Sequence, residues 1–141
     1  MRRTVALDGA FLEAFLNSRT RSETVSNLIR ELSSENAKII IPTPALAEVL
    51  TRHPDTAPDW TRDINRYACF QVRPFDDKAS FELAQILREN ASGLRDILRF
   101  DRQIVAIAKV YGVSVLYADS EQVITFAEEC GIPAKRLKDL N

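Results

Sequence analysis

The sequence predicts an α/β fold: a central parallel sheet of about four or five strands, flanked by helices on both faces. Three observations carry that prediction. Short apolar runs that read as buried strands alternate with stretches that read as helices. Two of the strand-like runs are followed at their carboxyl ends by an aspartate, which is where sheets of this class bind ligands. The length of 141 residues suits one compact domain, which buries roughly two-thirds of its unfolded surface without a disulfide or a structural metal. No repeat, low-complexity tract or linker interrupts residues 1–141, so a single domain is expected.

The elements follow in order. Thr4-Val5-Ala6-Leu7 is a short apolar strand, with Asp8 at its end. Residues 9–17 are helical, with Phe11, Leu12, Phe15 and Leu16 on one side. Residues 20–35 form the clearest helix, because Val25, Leu28, Ile29 and Leu32 fall at i, i+3, i+4 and i+7. Ala37 to Ile41 is a second strand, ended by Pro42. Thr43 reads as an N-cap with Pro44 at the first helical position, opening a helix to about Arg52 that carries Glu48 at the edge of its apolar arc. A break at residues 53–58 precedes a helix over 59–67 and a third strand from Cys69 to Arg73. A helix runs from Asp76 to about Asn90, and Ala91-Ser92-Gly93 is a turn. Residues 101–111 are apolar nearly all round, the pattern of a helix buried between layers. Gly112 stops it. Val113 to Tyr117 is a strand, with Asp119 just past its end. Residues 121–130 form a last helix, followed by an edge strand after Gly131-Ile132-Pro133.

Composition narrows the function. Apolar residues make up 45% and charged residues 28%, which excludes intrinsic disorder. The net charge of −1 excludes a generic polyanion binder, so any contact with nucleic acid must use a local basic patch. Cys69 and Cys130 lie far apart and read as small buried hydrophobes in a reducing compartment. A single histidine, His53, argues against zinc. The basic Met1-Arg2-Arg3 is followed by no apolar signal region, and no run reaches the length of a membrane helix, so a cytoplasmic location is expected.

Four carboxylates stand out. Taken singly, Asp8, Asp101 and Asp119 can each be a helix cap or first-turn acid, and Glu48 a solvated helix residue. Taken together, each follows or faces a segment that belongs to the core. If the strands ending in Asp8 and Asp119 are neighbours, and the helices carrying Glu48 and Asp101 pack beside them, four negative charges converge and repel. A hard divalent cation removes that conflict, and oxygen donors suit Mg²⁺ or Mn²⁺. Such a site activates water against a phosphodiester. On this reading Asp8→Asn leaves metal-free stability unchanged or higher, through relief of repulsion.

The chain resembles the PIN-domain family. The resemblance rests on Val5-Ala6-Leu7-Asp8, on Pro44 to Glu48 at a helix start, on Phe100-Asp101 with Ile104, Ala106 and Ala108, and on Val113 to Asp119, in the family's order and approximate spacing over nearly the whole chain. It is most similar to the compact bacterial type that includes toxins of VapC-type toxin–antitoxin pairs. The resemblance implies a Rossmann-like sheet, Mg²⁺ or Mn²⁺, and endonucleolytic cleavage of RNA, with Asp8, Glu48, Asp101 and Asp119 as the four acids. It also implies a homodimer and an antitoxin partner, for which the helices at 20–35 and 43–52 are the expected contact surface. Arg95, Arg99 and Arg102 are the candidate contacts to RNA phosphate; otherwise they form a solvated helix face. Trp60 and Tyr67 belong to the core or stack on bases.

Two departures from the family's pattern stand beside these matches. Gly9-Ala10 replaces the Thr or Ser that often follows the first Asp, and Tyr117 replaces the one that often precedes the last Asp by two. Ser120 and Glu121 are positioned to compensate, Glu121 as a fifth acid or else a first-turn charge. The alternative function is a catalytically degenerate module that binds RNA or a protein partner. A phospho-acceptor receiver and a DxDx phosphatase fit less well, since Asp8 has no neighbouring acid and no second Asp two residues on.

Overall fold

The computed structural model describes residues 2–17, 19, 22–89 and 99–140. Among these, five strands form one sheet in the order β3-β2-β1-β4-β5, with every neighbouring pair parallel. The strands are β1 (Thr4–Leu7), β2 (Lys38–Pro42), β3 (Phe70–Arg73), β4 (Val115–Tyr117) and β5 (Ala134–Lys135). The helices are α1 (Gly9–Leu16), α2 (Glu23–Ser34), α3 (Thr43–Arg52), α4 (Ala57–Arg66), α5 (Asp77–Glu89), α6 (Phe100–Val110) and α7 (Glu121–Glu129), with a 3-10 turn at Leu137–Leu140. The α/β class and the parallel sheet agree with the sequence prediction.

Alternation along the central strands divides the core in two. Val5 and Leu7 of β1, Ile39 and Ile41 of β2, and Val115 and Tyr117 of β4 face α1, α2 and α4. Ala6, Ile40 and Leu116 face α5, α6 and α7. All six central positions at Val5, Ala6, Leu7, Ile39, Ile40 and Ile41 are almost wholly buried, as a sheet covered on both faces requires. Five consecutive residues of α6, Ile104 to Ala108, are buried, which matches its all-round apolar pattern. α3 is the exception to the layering. Its Val49 belongs to one core and its Ala45 to the other, so it lies across the carboxyl ends of the strands and packs against both α1 and α6.

Element ends shifted where local chemistry overrode pattern. Ser22, whose hydroxyl accepts the Val25 N–H at 3.3 Å, caps α2. α3 begins at Thr43 itself with Pro42 before it, so the expected Thr43 cap does not form; Pro44 falls in the first turn, where its missing N–H leaves no bond unmade. α4 starts earlier than expected because Pro58 is accommodated in its first turn. Asp76 caps α5 by accepting the Ala79 N–H at 3.1 Å. Gly112 ends α6 with φ +60°, a conformation that costs a side-chain-bearing residue but not glycine. The turn expected at Ala91-Ser92-Gly93 lies outside the described residues. No helix is long and apolar enough to cross a membrane among them.

Candidate active site

The sheet order places β1 between β2 and β4, so the chain winds outward from β1 in one direction and then in the other. The crevice at that reversal, outside the carboxyl ends of β1 and β4, is where an open α/β sheet binds its ligand. Asp8 sits there. Its N–H donates to the Tyr117 carbonyl at 3.0 Å, which continues the β1–β4 pairing to the aspartate. Its carboxylate does two structural jobs at once. Oδ1 accepts the Phe11 N–H at 3.0 Å and caps α1, while Oδ2 accepts the N–H groups of Asp119 at 3.0 Å and Ser120 at 3.2 Å. Asp8 is 1% exposed. Burial pushes its pKa up to about 6; the three backbone bonds pull it down, and the neighbouring Glu48 raises it further.

Glu48 projects from α3 toward the first residue of α1. A methyl group built on Gly9 would overlap Oε1 of Glu48 and lie 3.3 Å from its carboxyl carbon. The Glu48 carboxylate therefore occupies the space that any side chain at position 9 would fill. Arg52, one turn further along α3, holds the other oxygen, Oε2, at 3.3 Å.

Asp101 lies in the first turn of α6 and is held on both sides. Arg99 donates from Nε and Nη2 to its two oxygens at 3.2 and 3.1 Å, a bidentate pair. Arg102 approaches from the other side, Nη1 to Oδ2 at 3.4 Å, with its guanidinium 4.0 Å above the ring of Phe126.

Asp8, Glu48 and Asp101 open onto one cavity of about 370 Å³, also bordered by Gly9, Arg52, Arg99 and Ser120. Asp119 does not border it. Its carboxylate turns toward the chain's end and accepts the Leu137 N–H at 3.2 Å, and it serves the site through its backbone N–H on Asp8. The expected convergence of four side chains thus reduces, in this structure, to three side chains and one backbone group. Among the substrate candidates, Arg99 borders the cavity and Arg102 stands behind Asp101, both engaged with that carboxylate. Arg95 lies outside the described residues. Arg52 was missed at the sequence level, although its i, i+4 spacing from Glu48 was visible.

A donor set made only of carboxylate oxygens has the chemistry of a hard cation site. Asp8 limits the fit. Oδ2 already accepts two hydrogen bonds and Oδ1 one, so a single lone pair remains for an ion. Among the described residues no three or more His, Cys, Asp or Glu side chains stand close enough together to hold a metal directly. The residues fit a cation that keeps much of its water, as Mg²⁺ does, and not a dehydrated cage.

No protein-family profile matches the chain, and no curated protein matches it by sequence. Solved structures do match by shape. A chain in the structure of VapBC2 from Rickettsia felis, bound to a promoter DNA fragment, superposes with a TM-score of 0.68 at 14% identity, over 94% of this chain and 98% of that one. A chain of DNA-bound VapBC from Salmonella typhimurium gives 0.65 at 18% identity, over 97% and 99%. A chain of FitAB bound to the IR36 DNA fragment gives 0.66 at 15%, over 94% of each. The chain shares the PIN-like fold of those chains.

Against the PIN pattern, both sequence departures now have a physical account. Gly9 is what allows the Glu48 carboxylate to sit at the start of α1. Tyr117 is 2% exposed and points into the α1–α2 core, with its ring 5.7 Å from that of Phe11. Of the compensating residues, Ser120 contributes its N–H to Asp8, and Glu121 is turned outward to pair with Arg136. Trp60 is buried against His53, whereas Tyr67 is partly exposed and packs on Phe15 and Phe70.

Proposed function

We propose that the protein is a metal-dependent endoribonuclease, the toxin of a type II toxin–antitoxin pair, hydrolysing RNA phosphodiester bonds in the cytoplasm. The observation that carries this reading is the meeting of Asp8, Glu48 and Asp101, from three separate elements, at one cavity on the topological switch of the sheet. Those three residues would face a Mg²⁺ or Mn²⁺ that keeps much of its water, and would hold it largely through that water. When bound, the ion supplies an activated water and neutralises charge on the leaving oxygen. The chain's own contribution is orientation. Three backbone N–H groups fix Asp8, and the bare backbone of Gly9 seats Glu48. Arg52 and Arg99 also border the cavity, paired with Glu48 and Asp101, and would turn to an incoming phosphate once the ion takes over those carboxylates.

The complexes to which the fold is similar support a partner protein. A homodimer, and an antitoxin segment laid on α2 and α3, are part of the proposal. The test is cleavage of a structured RNA by the purified protein. Activity with Mg²⁺ or Mn²⁺, abolished by EDTA and mostly lost in Glu48→Gln, is the expected result. Products that form equally in EDTA would overturn it.

A second reading is favoured by the occupied oxygens of Asp8 and the outward turn of Asp119: a PIN-like module that binds RNA or a protein and cuts nothing. Binding of RNA without cleavage at any metal concentration would select it.

A further inference from the structure

Two acids that follow β4 are held by the C-terminal segment. The Asp119 carboxylate accepts the Leu137 N–H at 3.2 Å. Glu121 pairs through both of its oxygens with the Arg136 guanidinium. Residues 136–140 close on themselves: the Arg136 N–H donates to Asp139 Oδ2 at 2.9 Å, and the Asp139 N–H donates to the Arg136 carbonyl at 3.0 Å. Leu137 and Leu140 rest half-buried against the α1–α2 side of the core, Leu140 beside Thr24, Asn27, Leu28 and Glu31 of α2. No residue of the 3-10 turn is fully buried. The Asp119 backbone, by contrast, stands at the wall of the site, with its N–H on Asp8 Oδ2 and the next residue, Ser120, bordering the acidic cavity. Asp119 is exposed, so no packing opposes a change of its χ1 rotamer.

We propose that the turn at residues 136–140 is a strap that competes with the site for the Asp119 carboxylate: closed, it withholds this acid, and lifted, it releases it. This rests on the metal reading of the acidic cavity and adds a control to it. One carboxylate cannot cap Leu137 and face the cavity at once. A cation that draws on Asp119 therefore loosens the turn, and loosening the turn tightens the cation by the same factor. The strap is held by solvent-facing hydrogen bonds and two half-buried leucines, which places it at the low end of local stability, where a bound ion can move it. A turn that merely finishes the fold has no such coupling.

Two measurements test the coupling from its two ends. Leu137→Pro removes the N–H that Asp119 accepts, at the first position of the turn, where the fixed φ of proline is tolerated. Leu137→Ala loses similar packing and keeps the N–H, so the pair isolates the bond. Isothermal titration calorimetry with Mn²⁺ should give Leu137→Pro an affinity about five- to tenfold above that of Leu137→Ala. The reverse coupling needs no change at Leu137. Limited trypsin digestion, read by intact mass, follows cuts after Arg136 and Lys138. Saturating Mn²⁺ should speed those cuts severalfold in the parent. It should not do so in Asp119→Asn, whose amide oxygen still accepts the Leu137 N–H but carries no charge for a cation. Equal Mn²⁺ affinity in the two Leu137 variants, or cuts that Mn²⁺ leaves unchanged or slows in the parent, would overturn the strap, and the metal reading would stand wherever the parent binds Mn²⁺. Absence of Mn²⁺ binding in the parent and in both Leu137 variants would overturn the metal reading and the strap with it. Binding by Leu137→Pro alone would support both.

Discussion

Asp8 is both a helix cap and a wall of the candidate active site, and the two roles make opposite demands on a substitution. Relief of charge repulsion alone makes Asp8→Asn harmless or stabilising. The structure sets a second effect against it. Whichever way the amide is turned, its NH₂ faces at least one backbone N–H among Phe11, Asp119 and Ser120, leaving a buried donor unsatisfied. We expect Asp8→Asn to lower stability by roughly 1–3 kcal/mol in chemical denaturation without metal at pH 4, where Asp8 is itself protonated and no charge repulsion remains to be relieved. The titration of Asp8 has a defined sign. Its folded pKa of about 6 lies above the ordinary 3.8, so folding takes up a proton between those values. The resulting stabilisation is fully present below about pH 4 and is lost as pH rises through 6. In EDTA the parent should gain up to about 3 kcal/mol from this group on going from pH 7 to pH 4, and the gain should be absent in Asp8→Asn. Melts across that range in both proteins check it; a parallel pH dependence would show that Asp8 titrates normally. Gly9 gives a cleaner steric prediction. Gly9→Ala displaces the Glu48 carboxylate, so it should lower activity several-fold, and Glu48→Asp in the same chain should restore part of it by shortening the arm.

At the scale of elements, α6 is tied to α7 by Arg102. Its guanidinium lies on Phe126, its Nη1 pairs with Asp101, and its Nε is buried without a hydrogen-bond partner among the described residues. A buried donor without a partner costs about as much as the pair contributes. Arg102→Met keeps the contact with the ring and removes the orphan, so its stability should fall within about 1 kcal/mol of the parent. Arg102→Ala loses the packing as well and should cost about 1–2 kcal/mol. Guanidinium melts of the two variants separate a packing role from an electrostatic one: equal losses would mean that charge, not packing, holds α7 to α6.

For the molecule as a whole, three elements meet at the switch of the sheet, and an ion bound there is bound only by the folded chain. At ten times its dissociation constant, Mg²⁺ should add about 1.4 kcal/mol of stability, or about 3–6 °C in Tm for a domain of this size. Glu48→Gln should reduce that increment. Scanning calorimetry at increasing Mg²⁺ checks it, and an equal rise in both proteins would place the ion elsewhere. Light scattering tests the proposed dimer, and a monomer at high concentration would count against it.

The order and type of the elements were legible in the sequence because they follow from local periodicity and punctuation: the 3.6-residue spacing from Val25 to Leu32, the apolar run ending at Pro42, the glycine after Tyr111. So was the position of Asp8 and Asp119 just past adjacent strands, since a parallel sheet brings such ends together. Side-chain direction was not legible, because it depends on partners distant in the chain. Asp119 faces Leu137 and not the cavity because a backbone N–H eighteen residues away needs an acceptor. The glycine at position 9 looked like a missing hydroxyl until α3 was seen to lay Glu48 against it. Tyr117 looked like a lost ligand until the strand's alternation put it in the core. Local pattern determined which residues stand at the sheet's edge; only the packing of α1, α3 and α6 across that edge decided which of them share a site, because that packing sets distances no spacing in the sequence encodes.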